Sequence, residues 1–238
     1  MQDQPRLHIE GLAASGVAEL SEDQVHYLGH VLRRAPGDEV KAFNASDGEW
    51  LARIDSLPRR GVGRLALVRQ LRAPAPEAGP ILLFAPVKRD ATELIVRMAT
   101  ELGVVALWPV LTARTNAARV RIDRLAAIAV EAAEQCERLS VPEVAAPRGL
   151  ARVLSDWPAD RTLCVAIERA EGGGAARGDA VLIGPEGGFT PAELDVLHGH
   201  PFVTPISLGS RILRAETAAV AALVCLQGAR EQWGATTP

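Results

Sequence analysis

The stretch RAPAPEAGP (72–80) divides the chain into two segments of different rhythm, and that change limits the folds open to it. Proline and alanine without apolar periodicity cannot bury a face, so the stretch reads as a linker. Before it, short strand-like runs alternate with turn sequences. The runs are RLHIE (6–10), DEVKAFN (38–44), EWLARID (49–55) and RLALVRQL (64–71), parted by APGD, ASDG and RRGVG. One helical patch, EDQVHYLGHVL (22–32), interrupts them; acidic residues open it, and Val25, Leu28, Val31 and Leu32 share a face. After the linker, strands and helices alternate, as in a largely parallel sheet. Strands are expected at 81–87, 104–110, 162–168, 180–184 and 204–208, and helices at 90–102, 122–139, 191–198 and 214–230. Thr190 and Pro191 suit the N-cap and first position of the helix at 191. The organisation is therefore a small β-rich domain (1–72), a linker (73–80) and an α/β domain (81–238).

Hydrophobic residues make up 48% of the chain, enough for packed cores. The apolar runs are strand-length and fall short of the roughly 20 residues of a membrane span. The start, MQDQPRLHIE, lacks a charged-then-apolar signal layout. Cys136, Cys164 and Cys225 are scattered, odd in number and in apolar contexts. They match neither a zinc spacing nor a disulfide framework and are expected to be buried free thiols of a cytoplasmic protein, with no membrane and no metal. Net charge is −3, which does not advertise nucleic-acid binding. Of the 26 basic residues only Lys41 and Lys88 are lysines. Arginine forks suit phosphate, but a G+C-rich genome produces the same bias.

Two loops at the C-terminal ends of expected strands concentrate the chemistry, on the edge where open α/β sheets bind ligands. In Ile183–Phe189, IGPEGGF, three glycines let backbone approach a ligand and Pro185 stiffens the turn. The dinucleotide and P-loop spacings are absent. The loop also reads as a plain strand-to-helix turn. Leu208–Ala218, LGSRILRAETA, leads into a helix that is apolar almost all round. Two arginines and a glutamate at its mouth are costly unless solvated, paired or in use; an Arg214–Glu216 or Arg211–Glu216 pair capping the helix accounts for them equally well.

The pair GPEGGF and LGSRILRAETA resembles the C-terminal signature of the RsmE family, a branch of the SPOUT methyltransferases. KRDATELIVRMATELGV (88–104) is similar to that family's stretch ending in ATELGV, and EAAEQCERLSVPEV (131–144) to its motif around EQ and VP. In the front domain, Arg6, His26-Tyr27-Leu28, Val31-Leu32-Arg33 and Gly37-Asp38 resemble the family's PUA-like RNA-binding module. Met98 departs from the family, which often has lysine there.

The resemblance implies a SPOUT-type α/β domain with a deep trefoil knot, behind a small PUA-like β-barrel. It implies transfer of a methyl group from S-adenosylmethionine to N3 of the uridine at position 1498 in 16S ribosomal RNA, by a homodimer acting on that RNA or on the small subunit. The donor pocket maps onto three loops: Ile167 and Glu168; Gly184, Pro185, Glu186 and Gly188; and Leu208, Gly209, Ile212 and Leu213. Arg214 is expected to stabilise charge on the uracil, with Glu216 orienting it or accepting the proton. Arg6, Arg33, Arg34, Arg114, Arg138 and Arg211 are the expected RNA contacts, with Glu134 and Gln135 on the RNA side. Glu134 and Arg138 also fit an i,i+4 helix pair, and His26 and His30 fit a packing role. The alternatives are another SPOUT RNA methyltransferase, acting on a ribose 2′-hydroxyl or a different base, and a non-catalytic RNA-binding ribosome-assembly factor.

Overall fold

The computed structural model describes residues 4–12, 16–75, 77–116, 120–167 and 177–230. The chain forms two compact units. One holds the chain to Glu77 together with Ala133–Val141; the other holds Ala78–Ala132 and the chain from Pro142.

In the first unit, β1 (Arg6–His8), β2 (Val17–Leu20), β3 (Glu39–Asn44), β4 (Gly48–Ser56) and β5 (Gly63–Arg72) form a curled mixed sheet in the order β1-β3-β4-β5-β2. β1 runs parallel to β3, and the other pairs are antiparallel. Alternation aims one set of side chains inward, so Leu7, Ala18, Leu20, Val40, Ala42, Ala52, Ile54 and Leu65 make the core. β2 escaped the sequence reading because only Ala18 and Leu20 of its four residues point inward, too few for a period to show.

The helical patch is not one continuous α-helix. α1 (Glu22–His26) opens with a Ser21/Gln24 capping box. The chain then widens into a π-type turn at Tyr27–Val31, where the Leu32 N–H donates to the Tyr27 carbonyl. Val25 and Leu28 stay buried, but the wider turn carries Val31 off the expected face, to 58% exposure. His26 and His30 do not pack in the core; both are exposed and stack on each other.

In the second unit, β6 (Ile81–Phe84), β7 (Ala106–Leu111), β8 (Glu143–Val144), β9 (Arg148–Gly149), β10 (Leu163–Ala166), β11 (Ala180–Ile183) and β12 (Val203–Ile206) form a parallel sheet. The order is β12-β10-β11-β6-β7-β8, with β9 also on β7. The helices are α2 (Arg89–Glu101), α3 (Ile122–Gln135), α4 (Leu150–Ser155), α5 (Pro191–His198) and α6 (Ala215–Arg230). ILLF and AVLI are apolar throughout because both faces of these strands are covered. On one face Ile81, Leu83, Leu163, Val165, Ala180 and Leu182 pack with Leu150, Trp157 and Leu197. The alternate residues Leu82, Phe84, Cys164 and Val181 are equally buried, and α6 packs on β6, β11 and α2.

α5 has the expected Thr190 cap and Pro191, reinforced by Glu193 in a capping box. α3 stops four residues before the expected end, and Glu137 takes a left-handed φ of 61°. There Arg72 donates to the Glu137 carbonyl at 2.6 Å, holding the turn with the first unit. The two-residue strands β8 and β9 and the six-residue α4 are too short for sequence periodicity to reveal. The cysteines are free, yet only Cys164 is buried; Cys136 is half-buried and Cys225 exposed.

Candidate functional site

β10, β11 and β12 end side by side, and the loops that follow them enclose a cavity of about 320 Å³. Ile167 follows β10, residues 184–189 follow β11, and residues 208–213 lead to α6, whose Ala215 and Ala218 complete the wall. Nine of the ten residues expected around a methyl donor line this cavity: Ile167, Gly184, Pro185, Glu186 and Gly188, with Leu208, Gly209, Ile212 and Leu213. The tenth, Glu168, lies outside the described residues.

Backbone conformation shapes the two glycine loops. The Gly188 N–H donates to the Pro185 carbonyl at 2.8 Å, closing a turn that places Gly188 at φ +67°. Gly209 sits at φ +103°, a conformation L side chains rarely adopt. Neither glycine has a neighbour within 4 Å of where a Cβ would stand, so conformation, not crowding, selects glycine there. The wall combines apolar Ala166, Ile183, Phe189 and Leu194 with the charged side chains of Arg114, Glu186 and Arg211.

Sequence reasoning gave Arg114 to the RNA, and the structure gives it a further contact. Its Nη1 donates to the Gly187 carbonyl at 2.6 Å and more weakly to that of Phe189 at 3.5 Å. The neighbouring Ala113 N–H donates to Glu193 Oε1 at 2.7 Å. Burial pushes the Glu193 carboxyl upward, but hydrogen bonds from Thr190 and Ala113 and the charge of Arg114 outweigh it and hold it below the usual range. Glu193 was not among the expected site residues; the structure places it in the capping box with Thr190. Ile183 and Phe189 bound the loop already singled out, whereas Ala166 and Leu194 were missed because apolar lining residues look like core.

Arg214 and Glu216 flank Ala215 at the start of α6; Arg214 is exposed and Glu216 half-buried, and neither is among the cavity-lining residues. Among the described residues neither Arg211 nor Arg214 pairs with Glu216, so a capping ion pair does not account for them. Arg33 is exposed at φ 55° and Arg34 half-buried, both in the first unit.

Two of the expected RNA contacts, Arg6 and Arg138, are buried. Arg6 is buried: its Nε donates to Glu49, Nη1 to the Ala133 carbonyl and Nη2 to the Arg138 carbonyl. Arg138 is buried as well, its guanidinium held by Glu77 and Ser140. Both cations are enclosed in the first unit, with their guanidinium donors taken up by protein acceptors. Glu134, expected on the RNA side, accepts the His8 N–H at 2.9 Å. Gln135 closes α3. Among the described residues no group of three His, Cys, Asp or Glu side chains is placed to hold a metal ion.

Residues 77–227 match the RNA methyltransferase domain family, and residues 20–62 match the RNA methyltransferase PUA domain family. Ribosomal RNA small subunit methyltransferase E of Rickettsia conorii is 34% identical over 231 residues, covering 92% of this chain and 93% of its own. The chain belongs to the methyltransferase E family. The Synechocystis member is 36% identical over 217 residues, 86% of this chain and 70% of that one. A methyltransferase E from Neisseria gonorrhoeae, solved bound to S-adenosyl methionine, superposes with a TM-score of 0.83. It shares 27% identity, and the match covers 95% of this chain and 98% of that one. The methyltransferase E family is an RNA methyltransferase family, and its two-part layout is the one seen here: a curled mixed sheet and a parallel α/β sheet.

Proposed function

We propose that this chain transfers a methyl group from S-adenosylmethionine to N3 of the uridine at position 1498 in 16S ribosomal RNA. The observation that carries the reading is the cavity shared by the three adjacent loops, in a family with a member solved bound to that donor. Its volume of about 320 Å³ falls in the range of small-molecule sites, roughly 300–1,000 Å³. Apolar walls, loop backbone free of bulky side chains at Gly188 and Gly209, and both signs of charge suit an adenosine joined to a zwitterionic amino-acid tail. The donor, when bound, supplies an activated methyl group on a sulfonium.

The chain's residues have two tasks. The loops hold the donor so that its methyl faces N3 in line. N3 must also lose a weakly acidic proton. In this reading Glu216 takes it, and Arg214 stabilises the charge that develops on the uracil oxygens. Both flank the cavity-lining Ala215 at the N-terminal end of α6, where the helix dipole favours negative charge. N3 lies on the Watson–Crick edge, so the base must be unpaired to enter. Arg33, Arg34, Arg114 and Arg211 are the proposed contacts to the RNA.

The reading includes a homodimer and a deep trefoil knot in the cytoplasm. Support for the dimer is Ile212, an apolar side chain 69% exposed in the cavity loop, which a second copy would cover. The knot is carried by the resemblance to the SPOUT methyltransferases. Among the described residues no helix is long and apolar enough to cross a membrane.

The test is Arg214→Ala under single-turnover conditions with saturating donor and small subunits. Methyl transfer should slow by about 100-fold or more with donor affinity unchanged. Transfer at the wild-type rate removes Arg214 from the chemistry.

A further inference from the structure

The loop after β7 (residues 112–115) and the loop after β11 (residues 184–189) are not joined by strand pairing, because β6 lies between their strands. Side chains join them instead. The 112–115 loop is itself closed, with the Thr112 N–H on Thr115 Oγ1 at 2.8 Å and the Thr115 N–H on the Thr112 carbonyl at 3.1 Å. From it, Arg114 reaches the Gly187 carbonyl, and its Cδ would lie 3.3 Å from a Cβ at Gly187. The Ala113 N–H meets Glu193 Oε1 in the first turn of α5.

We propose that Arg114 and Glu193 are positioning residues that pin the 184–189 loop to the 112–115 loop and thereby set the affinity for the methyl donor. The inference rests on the reading of the cavity as the donor site. The carboxylate's two oxygens separate this role from plain capping. Oε2 alone completes the capping box, accepting the Thr190 N–H at 2.8 Å and its hydroxyl at 3.0 Å. Oε1 faces outward from the box and takes the Ala113 N–H, a bond the helix does not need. Arg114 completes the junction from the other side, fixing the carbonyl of a residue whose neighbours line the donor cavity. A 184–189 loop held in one conformation binds donor without a further ordering cost.

The test is titration of the full-length protein with S-adenosylmethionine by calorimetry, beside thermal unfolding and steady-state kinetics with small subunits. Arg114→Ala and Glu193→Ala should each weaken donor binding by about three- to tenfold, the worth of one or two hydrogen bonds. For Glu193→Ala the KM for donor should rise in step, while kcat at saturating donor stays within about twofold of wild type. Glu193→Gln keeps one acceptor oxygen, enough for Ala113 or for the cap but not both, and should recover part of the affinity; it also carries the test if Glu193→Ala does not fold. Thr190→Ala, which removes the cap hydroxyl alone, should lower the unfolding temperature without moving donor affinity. Folded Arg114→Ala and Glu193→Ala proteins that bind donor as wild type does would overturn the inference, as would Thr190→Ala weakening the donor as much as Glu193→Ala. A wild-type protein that binds no donor overturns the reading of the cavity and this inference together.

Discussion

Arg6 and Glu49 form a buried ion pair, Nε to Oε1 at 2.5 Å, with each side chain only 6% exposed. The remaining donors of Arg6 reach the Ala133 and Arg138 carbonyls, and its guanidinium stacks 3.5 Å from the Phe43 ring centre. An arginine on β1 is thus engaged with β4 and with residues 133–138, a segment that counts with the first unit. Among the described residues, Arg6→Ala leaves the buried carboxylate with the longer 3.8 Å contact to Arg72. The expected loss is about 3 kcal/mol of stability, read from urea unfolding. Arg6→Ala as stable as wild type would contradict the buried network.

Acid should loosen the same unit through Glu77. Burial raises its carboxyl, but hydrogen bonds from Ser140 and the Leu139 N–H, with the charge of Arg138, outweigh that and hold it below its usual value. A carboxyl lowered by folding adds stability above its unfolded value, near 4.5, and loses it as pH falls through the lower folded value. Glu77→Gln should therefore be less stable than wild type at pH 7, with the gap closing towards pH 3. Urea midpoints that differ equally at both pH values would rule this out.

Gly209→Ala tests backbone conformation without crowding. At φ +103°, alanine should cost at least about 1 kcal/mol although no atom stands in its way. Donor affinity should fall with it, because the 208–213 loop must shift to relieve the strain. Crystal structures of the variant would show the change in φ directly.

Cys164 is buried on β10, and burial pushes its thiol up to about 11. Since the thiolate is the nucleophile, Cys164 should resist an aromatic disulfide reagent at pH 8 until the protein unfolds. Peptide mapping after a native-state pulse should find it unlabelled; labelling at the rate of an exposed thiol would place it nearer solvent.

The sequence made much of this visible, for physical reasons particular to each element. Strands covered on both faces, such as Ile81–Phe84 and Ala180–Ile183, show as unbroken apolar runs. α5 shows through its cap and proline. The loops around the cavity were singled out through their glycines and their place after strands. What stayed hidden depends on long-range partners. Arg6 and Arg138 look like surface cations until Glu49 and Glu77, 43 and 61 residues away, are brought beside them. The 133–141 segment begins in the last turn of α3 yet counts with the first unit, which no local pattern encodes. Glu193 gave no local signal for its second partner, because Ala113 lies 80 residues away.

The most direct test of the proposed reaction is nucleoside mass spectrometry. Small subunits from a strain lacking its own methyltransferase E would be incubated with this protein and methyl-labelled S-adenosylmethionine, and the 16S RNA digested. The account predicts label in 3-methyluridine, confined to the fragment holding position 1498. Label in a ribose-methylated nucleoside, in another base, or nowhere in the RNA would contradict it.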